Sequence, residues 1–161
     1  MDEVVLRRLL EDQIRLMDAA AEVLRESHER VSALLRGKDS STKRELTIGE
    51  KESCEALTSR FARLCDFLFQ RVFRTIDAIE LQDEGSGIDR LNRMEKRGVI
   101  PSAREWRSLR ELRNSIVHDY LIESSDSVLH ESHRRANELL ETVANVKRYI
   151  EAKQYLGSPP P

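Results

Sequence analysis

Apolar residues recur every three or four positions along most of the chain. Leu6, Leu9, Leu10, Ile14, Met17, Ala20 or Ala21, Leu24, Val31 and Leu34 form the first series. That period predicts one long amphipathic helix over residues 3 to 36, stopped by Gly37. Residues 37 to 48 lose the period and carry Gly, Ser and Lys, which reads as a mobile linker. Thr47 and Glu50 have the spacing of a capping box, so a second helix is expected to start near Ile48 or Gly49. Its stripe of Leu57, Phe61, Leu64, Cys65, Leu68, Val72, Ile76 and Ile79 is widened by Phe67, Phe69 and Phe73. A helix this apolar either lies at the centre of a bundle or serves two interfaces, one of them with another subunit.

Beyond QDEGSG, Ser86 and Asp89 open a short helix with Ile88, Leu91 and Met94 directed inward, and Gly98 and Pro101 break it. Ser102 and Glu105 repeat the capping-box pattern. They start a helix whose inner face is Trp106, Leu109, Leu112, Ile116 and Val117. LIESSDS interrupts the period, and Ser125 or Asp126 is the expected N-cap of a last helix over about 127 to 155. The pattern predicts an all-α protein, a bundle of four long helices plus one short helix.

Composition adjusts this picture little. The chain has 161 residues, enough to bury one core, so residues 1–156 are expected to be a single helical domain. Residues 157–161, GSPPP, are expected to be a disordered tail. No stretch approaches the roughly 20 apolar residues a membrane span requires. MDEVVLRRLLEDQ carries acids and no apolar run, which argues against a signal peptide and for a cytoplasmic protein without membrane attachment. Cys54 and Cys65 lie roughly 16 Å apart along a helix, too far for a disulfide within it. Reduced thiols are expected, with Cys65 a small core residue.

The formal net charge of −2 does not mark a nucleic-acid binder, but its distribution is uneven. Between residues 90 and 113, Arg90, Arg93, Lys96, Arg97, Arg104, Arg107, Arg110 and Arg113 face only Glu95, Glu105 and Glu111. This run reads in two ways. It is a solvated face laced with ion pairs, or it is an electropositive approach to a phosphate backbone. It leads directly into RNSIVHDY at 113–120.

On a wheel of about 100° per residue, Asn114 lies near 100° from Arg113, His118 near 140° and Tyr120 near −20°. The four polar groups therefore fan around one helix end. Histidine takes up and releases protons near neutrality. Arginine carries a permanent fork of donors that fits phosphate oxygens. Together they suit metal-free RNA cleavage, in which His118 moves the proton of a ribose 2′-OH or of the leaving oxygen and Arg113 stabilises the phosphorane. The product would be a 2′,3′-cyclic phosphate. One histidine does not easily serve as base and acid in one step, whereas two copies across a dimer axis do. The alternative reading is structural: His118 complements the helix dipole and Tyr120 fills core.

R-x4-H-x-Y with a polar residue after the arginine, here Arg113, Asn114, His118 and Tyr120, resembles the signature of the HEPN domain. It is similar to the HepT branch of bacterial toxin–antitoxin pairs. The order of helices fits the same family over residues 50 to 155. The resemblance implies a HEPN-like helical bundle and a type VII toxin, a metal-independent endoribonuclease without cofactor. Its homodimer would carry a composite active site at the subunit interface. Arg113 and His118 would be catalytic, with Asn114 in support. It also implies an MntA-type nucleotidyltransferase antitoxin that adds AMP to Tyr120. The basic residues Arg97, Arg104, Arg107 and Arg110 would form the RNA approach. A second reading of the same resemblance is a non-catalytic HEPN module that binds substrate or nucleotide for a nucleotidyltransferase.

Other candidates are weaker. His130 and His133 are three apart but lack a third local ligand for zinc. His28, among Glu26, Glu29 and Arg30, reads as surface. Gly85 and Gly87 flank Ser86 without the lysine or strand context of a phosphate loop.

Overall fold

The computed structural model describes residues 1–37, 45–119 and 126–157, and no strand occurs among them. Helix α1 spans Glu3–Gly37, α2 Ile48–Phe67, α3 Phe73–Ile79, α4 Gly87–Lys96, α5 Ala103–Asp119 and α6 Asp126–Ala152. A π-helical turn, Leu68–Val72, joins α2 to α3, so the longest apolar stripe becomes one rod. The all-α class is therefore observed, with α4 as the short helix. Most of the expected linker, most of the expected tail and the interruption before α6 lie outside the described residues.

The rod is the axis of the core. α1, α5 and α6 pack along α2, while α4 reaches α3 and α5. Leu57, Phe61, Leu64, Cys65, Leu68, Val72, Phe73 and Ile76 are all buried. Trp106 closes on Phe73 with ring centroids 5.0 Å apart, and its indole N–H donates to Thr142 Oγ1 at 3.0 Å. Burial at roughly 1.5–3 kcal/mol per large apolar side chain makes this stripe the main stabilising element.

Helix starts follow the capping chemistry. Thr47–Glu50 and Ser86–Asp89 both form complete capping boxes. Ser102 Oγ accepts from Glu105 N at 3.2 Å.

Helix ends are less obvious. After α4, Gly98 takes φ +73°, with Gly98 N–H on Glu95 O and Val99 N–H on Met94 O. The same paired bonds end α3 with Leu81 at φ +56° and α6 with Gln154 at φ +55°. These are Schellman motifs, two of them on residues that pay a left-handed penalty. The last one corrects the expected end of α6 from 155 to Ala152 and folds Tyr155 back into the core.

Three residues expected to face inward do not. Leu9, Ile88 and Val117 are exposed, because each sits at the edge of its apolar stripe where no neighbouring helix covers it.

A buried polar cluster clips α4 to the rod. Asp77, with its carboxylate 1% exposed, accepts from Arg93 Nη2 at 2.7 Å and from Arg97 Nη1 at 2.5 Å. Arg97 Nε reaches Glu80 at 2.8 Å, and Tyr149 and Tyr155 both donate to Glu80 Oε1. Burial raises the Glu80 pKa, but hydrogen bonds from the two tyrosines and Arg97, with the Arg97 charge, turn the net direction downward. Asp77→Ala leaves buried guanidinium without its acid, so unfolding titrations should show a loss of about 3–5 kcal/mol. A loss below about 1 kcal/mol would mean that the cluster relaxes around the vacancy.

His28 is not a surface residue. Its ring stacks on His133 at 4.3 Å and 5°, joining α1 to α6. Ser32 gives its hydroxyl proton to the His28 carbonyl at 2.7 Å, so its oxygen accepts the His133 Nε2–H at 2.7 Å. Burial, then the charges of His28 and His130, lower the His133 pKa. A histidine with a depressed folded pKa binds fewer protons folded than unfolded. Its stabilising contribution is whole above its ordinary value of 6.5 and is lost as the pH falls toward the folded pKa. The depressed Glu80 contributes in the same sense, but only below its ordinary 4.5. Thermal melting between pH 7.5 and 5 should therefore show a midpoint that drops below about pH 6.5. His133→Gln should flatten that drop, and an unchanged slope would place the acid sensitivity elsewhere.

Candidate functional site

Helix α5 is held on three sides before it reaches the motif. Trp106 binds Thr142 on α6. Arg135 of α6, almost fully buried, donates to Ser108 Oγ at 2.6 Å and to Glu105 O at 3.2 Å. Arg113 then turns toward α2, where Asp66 Oδ2 accepts from its Nε at 2.8 Å and its Nη2 at 2.6 Å. Arg113 Nη1 donates to Asn114 Oδ1 at 3.1 Å. Arg113 and Asn114, singled out from spacing, are thus in direct contact.

Guanidinium has five N–H donors, and these bonds use three of them. One N–H remains on each of Nη1 and Nη2, free to meet an anion. The carboxylate and amide hold the guanidinium in a fixed plane, and Asn114 stays exposed with its own amide donors. Asp66 was not among the expected site residues. Its signal in the sequence is a single acid inside the apolar run Leu64–Cys65–Asp66–Phe67–Leu68, where an unpaired carboxylate would be costly.

His118 lies in the last turn of α5 and is exposed. It stands about 7.5 Å along the axis and about 140° around it from Arg113. The helix therefore does not bring His118 onto Arg113; their side chains leave on different sides. Tyr120 lies outside the described residues.

The basic run does not form one face. Residues three apart step back by about 60° on a helix, so Arg104, Arg107, Arg110 and Arg113 spiral across about half the circumference. Arg104 and Arg107 are exposed. Arg110 is half-buried, with its guanidinium 3.6 Å from the centre of the Phe69 ring. Arg97 is corrected: its side chain is 7% exposed and committed to Asp77 and Glu80, so it is a structural cation and no part of an open approach. Arg93 shares that role. The ion-paired reading thus holds for one part of the run and the exposed reading for another.

Cys65, next to Asp66, is buried, and burial followed by the Asp66 charge pushes its thiol up to about 12. It is a neutral core group at ordinary pH and no nucleophile. Among the described residues, no three His, Cys, Asp or Glu side chains converge in a way that can hold a metal. None of the helices there is long and apolar enough to cross a membrane.

The chain matches no family model, no curated protein and no solved structure.

The Asp66–Arg113 pair is partly open to water, with 36% and 30% of the side chains exposed. Asp66→Asn should cost less than about 1 kcal/mol in stability, in contrast to the buried Asp77. A loss comparable to that of Asp77→Ala would make the pair a structural clip and not a means of orienting Arg113.

Proposed function

We propose that the chain is a metal-independent endoribonuclease of the HEPN type, the toxin of a toxin–antitoxin pair. The observation that carries the reading is an arginine fixed by Asp66 and Asn114 with two donors to spare, followed on the same helix by an exposed histidine. In the proposed reaction His118 accepts the proton of a ribose 2′-OH. The 2′ oxygen attacks the adjacent phosphorus, and the free edge of Arg113 stabilises the negative charge of the phosphorane. The bond to the 5′ oxygen breaks, that oxygen takes up a proton, and the products are a 2′,3′-cyclic phosphate and a 5′-hydroxyl end.

Each chain supplies one His118, and the 140° offset from Arg113 suits a site completed by a second copy. A homodimer with a composite site would provide one histidine as base and the other as acid. Tyr120, two residues beyond His118, would be the residue to which an MntA-type nucleotidyltransferase adds AMP. An added phosphate there would bring negative charge that opposes RNA phosphate.

The ion pair with Asp66 also supports a second reading. Arg113 is already neutralised, as it would be in a non-catalytic HEPN module that only binds substrate or nucleotide for a nucleotidyltransferase.

Cleavage of labelled RNA in the presence of a chelator separates the two. The parent should cut and leave cyclic phosphate. His118→Ala should lower the rate about 10²–10⁴-fold. Arg113→Ala should lower it about 10²–10³-fold with little change in melting temperature. Equal cleavage by parent and both variants, or none by the parent, sinks the nuclease reading.

A further inference from the structure

A group of arginines outside the motif has more positive charge than the fold neutralises. Phe69 lies in the π-helical turn, almost fully buried, and two guanidinium groups cover its ring. Arg110 of α5 is 3.6 Å from the ring centre and Arg90 of α4 is 4.8 Å from it. The α4 backbone comes equally close: a Cβ at Gly87 would meet Phe69 Cζ at 2.9 Å and lie 3.6 Å from Arg110 Nη1. Glycine is needed there for the arginines and the ring to converge.

Carboxylates do not balance this cluster. Arg90 has Asp77 as its acid, at 3.8 Å, but that carboxylate already holds Arg93 and Arg97 at shorter range. Arg90 donates through Nη1 to Phe69 O at 3.3 Å, while its buried Nε has no hydrogen-bond partner. Arg110 has no ion pair among the described residues, and neither does the exposed Arg74 of α3. Burial lowers the Arg90 pKa; Asp77 opposes this, and the charges of Arg74, Arg93 and Arg110 push further down. Arg74 and Arg110 are therefore close enough to Arg90 for mutual repulsion.

Stacking on a ring also prepares a guanidinium for an anion. It fixes the plane and leaves the in-plane N–H edges directed outward. Arg110 sits one helical turn before Arg113, about 4.5 Å along α5. An anion at Arg110 and another at Arg113 can thus belong to neighbouring units of one chain.

We propose that Arg90 and Arg110, stacked over Phe69 beside Gly87, form with Arg74, which lies within electrostatic reach of Arg90, a phosphate subsite for single-stranded RNA beside Arg113. It holds the backbone phosphates on one side of the bond to be cut. The inference rests on the RNA substrate proposed above. An acidic protein segment would satisfy the same charges, but the spacing from Arg113 favours a polymer with a regular run of phosphates.

The test uses the full chain carrying His118→Ala, so that RNA stays intact, and a fluorescein-labelled oligouridylate read by anisotropy over a range of salt. Arg74→Gln and Arg110→Gln are compared with Arg15→Gln, a change on the exposed face of α1. Arg74 is exposed and holds no ion pair among the described residues, so it reports even if Arg110→Gln perturbs packing. Each of the two subsite variants should weaken binding several-fold and lower the salt slope by about 0.7, the value of one lost single-strand phosphate contact. The Arg15 control should keep the parent's slope.

Unchanged affinity and slope in both variants overturn the subsite, as does an equal loss in the Arg15 control or a failure of the parent to bind. The two readings fail separately. RNA binding that depends on Arg74 and Arg110 in a chain whose unsubstituted form cuts nothing removes the nuclease reading alone. Cleavage by a chain whose RNA affinity ignores both arginines removes the subsite alone.

Discussion

The central rod, α2 continued through the π-helical turn into α3, has to bury a long apolar stripe against α1, α5 and α6. That requirement sets the terms for the rest of the molecule. Water is excluded from that stripe, so a polar group embedded in it needs a partner from a neighbouring helix. The rod carries two acids that matter, the buried Asp77 in α3 and the partly exposed Asp66 in α2, and both are met by arginines from the basic segment. Asp77 draws α4 in, and Asp66 orients Arg113 of α5. The positive run between residues 90 and 113 thus exists in part because the rod has a buried carboxylate, Asp77, to satisfy.

This division explains why the charge run was only half legible. A count of cations says nothing about which of them are already neutralised inside the fold. Arg93 and Arg97 go inward to Asp77, while Arg104 and Arg107 remain outside. The three-residue spacing was visible, but its consequence, a spiral about the helix, turns a linear surplus into a distributed one. What gathers positive charge in one place is tertiary. Phe69 from the rod, Arg90 from α4 and Arg110 from α5 meet only because a π-helical turn and Gly87 let them.

The elements themselves were readable, because helix period and capping boxes are local. Thr47–Glu50 and Ser86–Asp89 needed no more than four residues each. The ends at Leu81 and Gln154 were not readable, since neither residue favours the left-handed conformation it adopts. At the second of these, the fold returns Tyr155 to Glu80, a contact that offsets the local cost. His28 looked like surface because its sequence neighbours are charged. Its partner, His133, lies 105 positions away. Arg113 and Asn114 were singled out from the motif's spacing and its resemblance to a known signature, whereas Asp66 required knowing which helix α5 would meet.

Arg113 poses a question that the ion pair itself answers. A carboxylate beside a phosphate-binding cation weakens its field, which argues against placing one there. Yet a free arginine on an exposed helix end samples many rotamers, and ordering it upon binding costs free energy. Asp66 removes that freedom in advance while occupying the Nε–Nη2 edge, and Asn114 takes a proton from Nη1. One donor is left on each of Nη1 and Nη2. Positioning is then gained by accepting some loss of charge, and the unneutralised arginines around Phe69 lie nearby to restore a positive potential. The same acid that makes Arg113 look spent as a cation is what gives its open edge a defined direction.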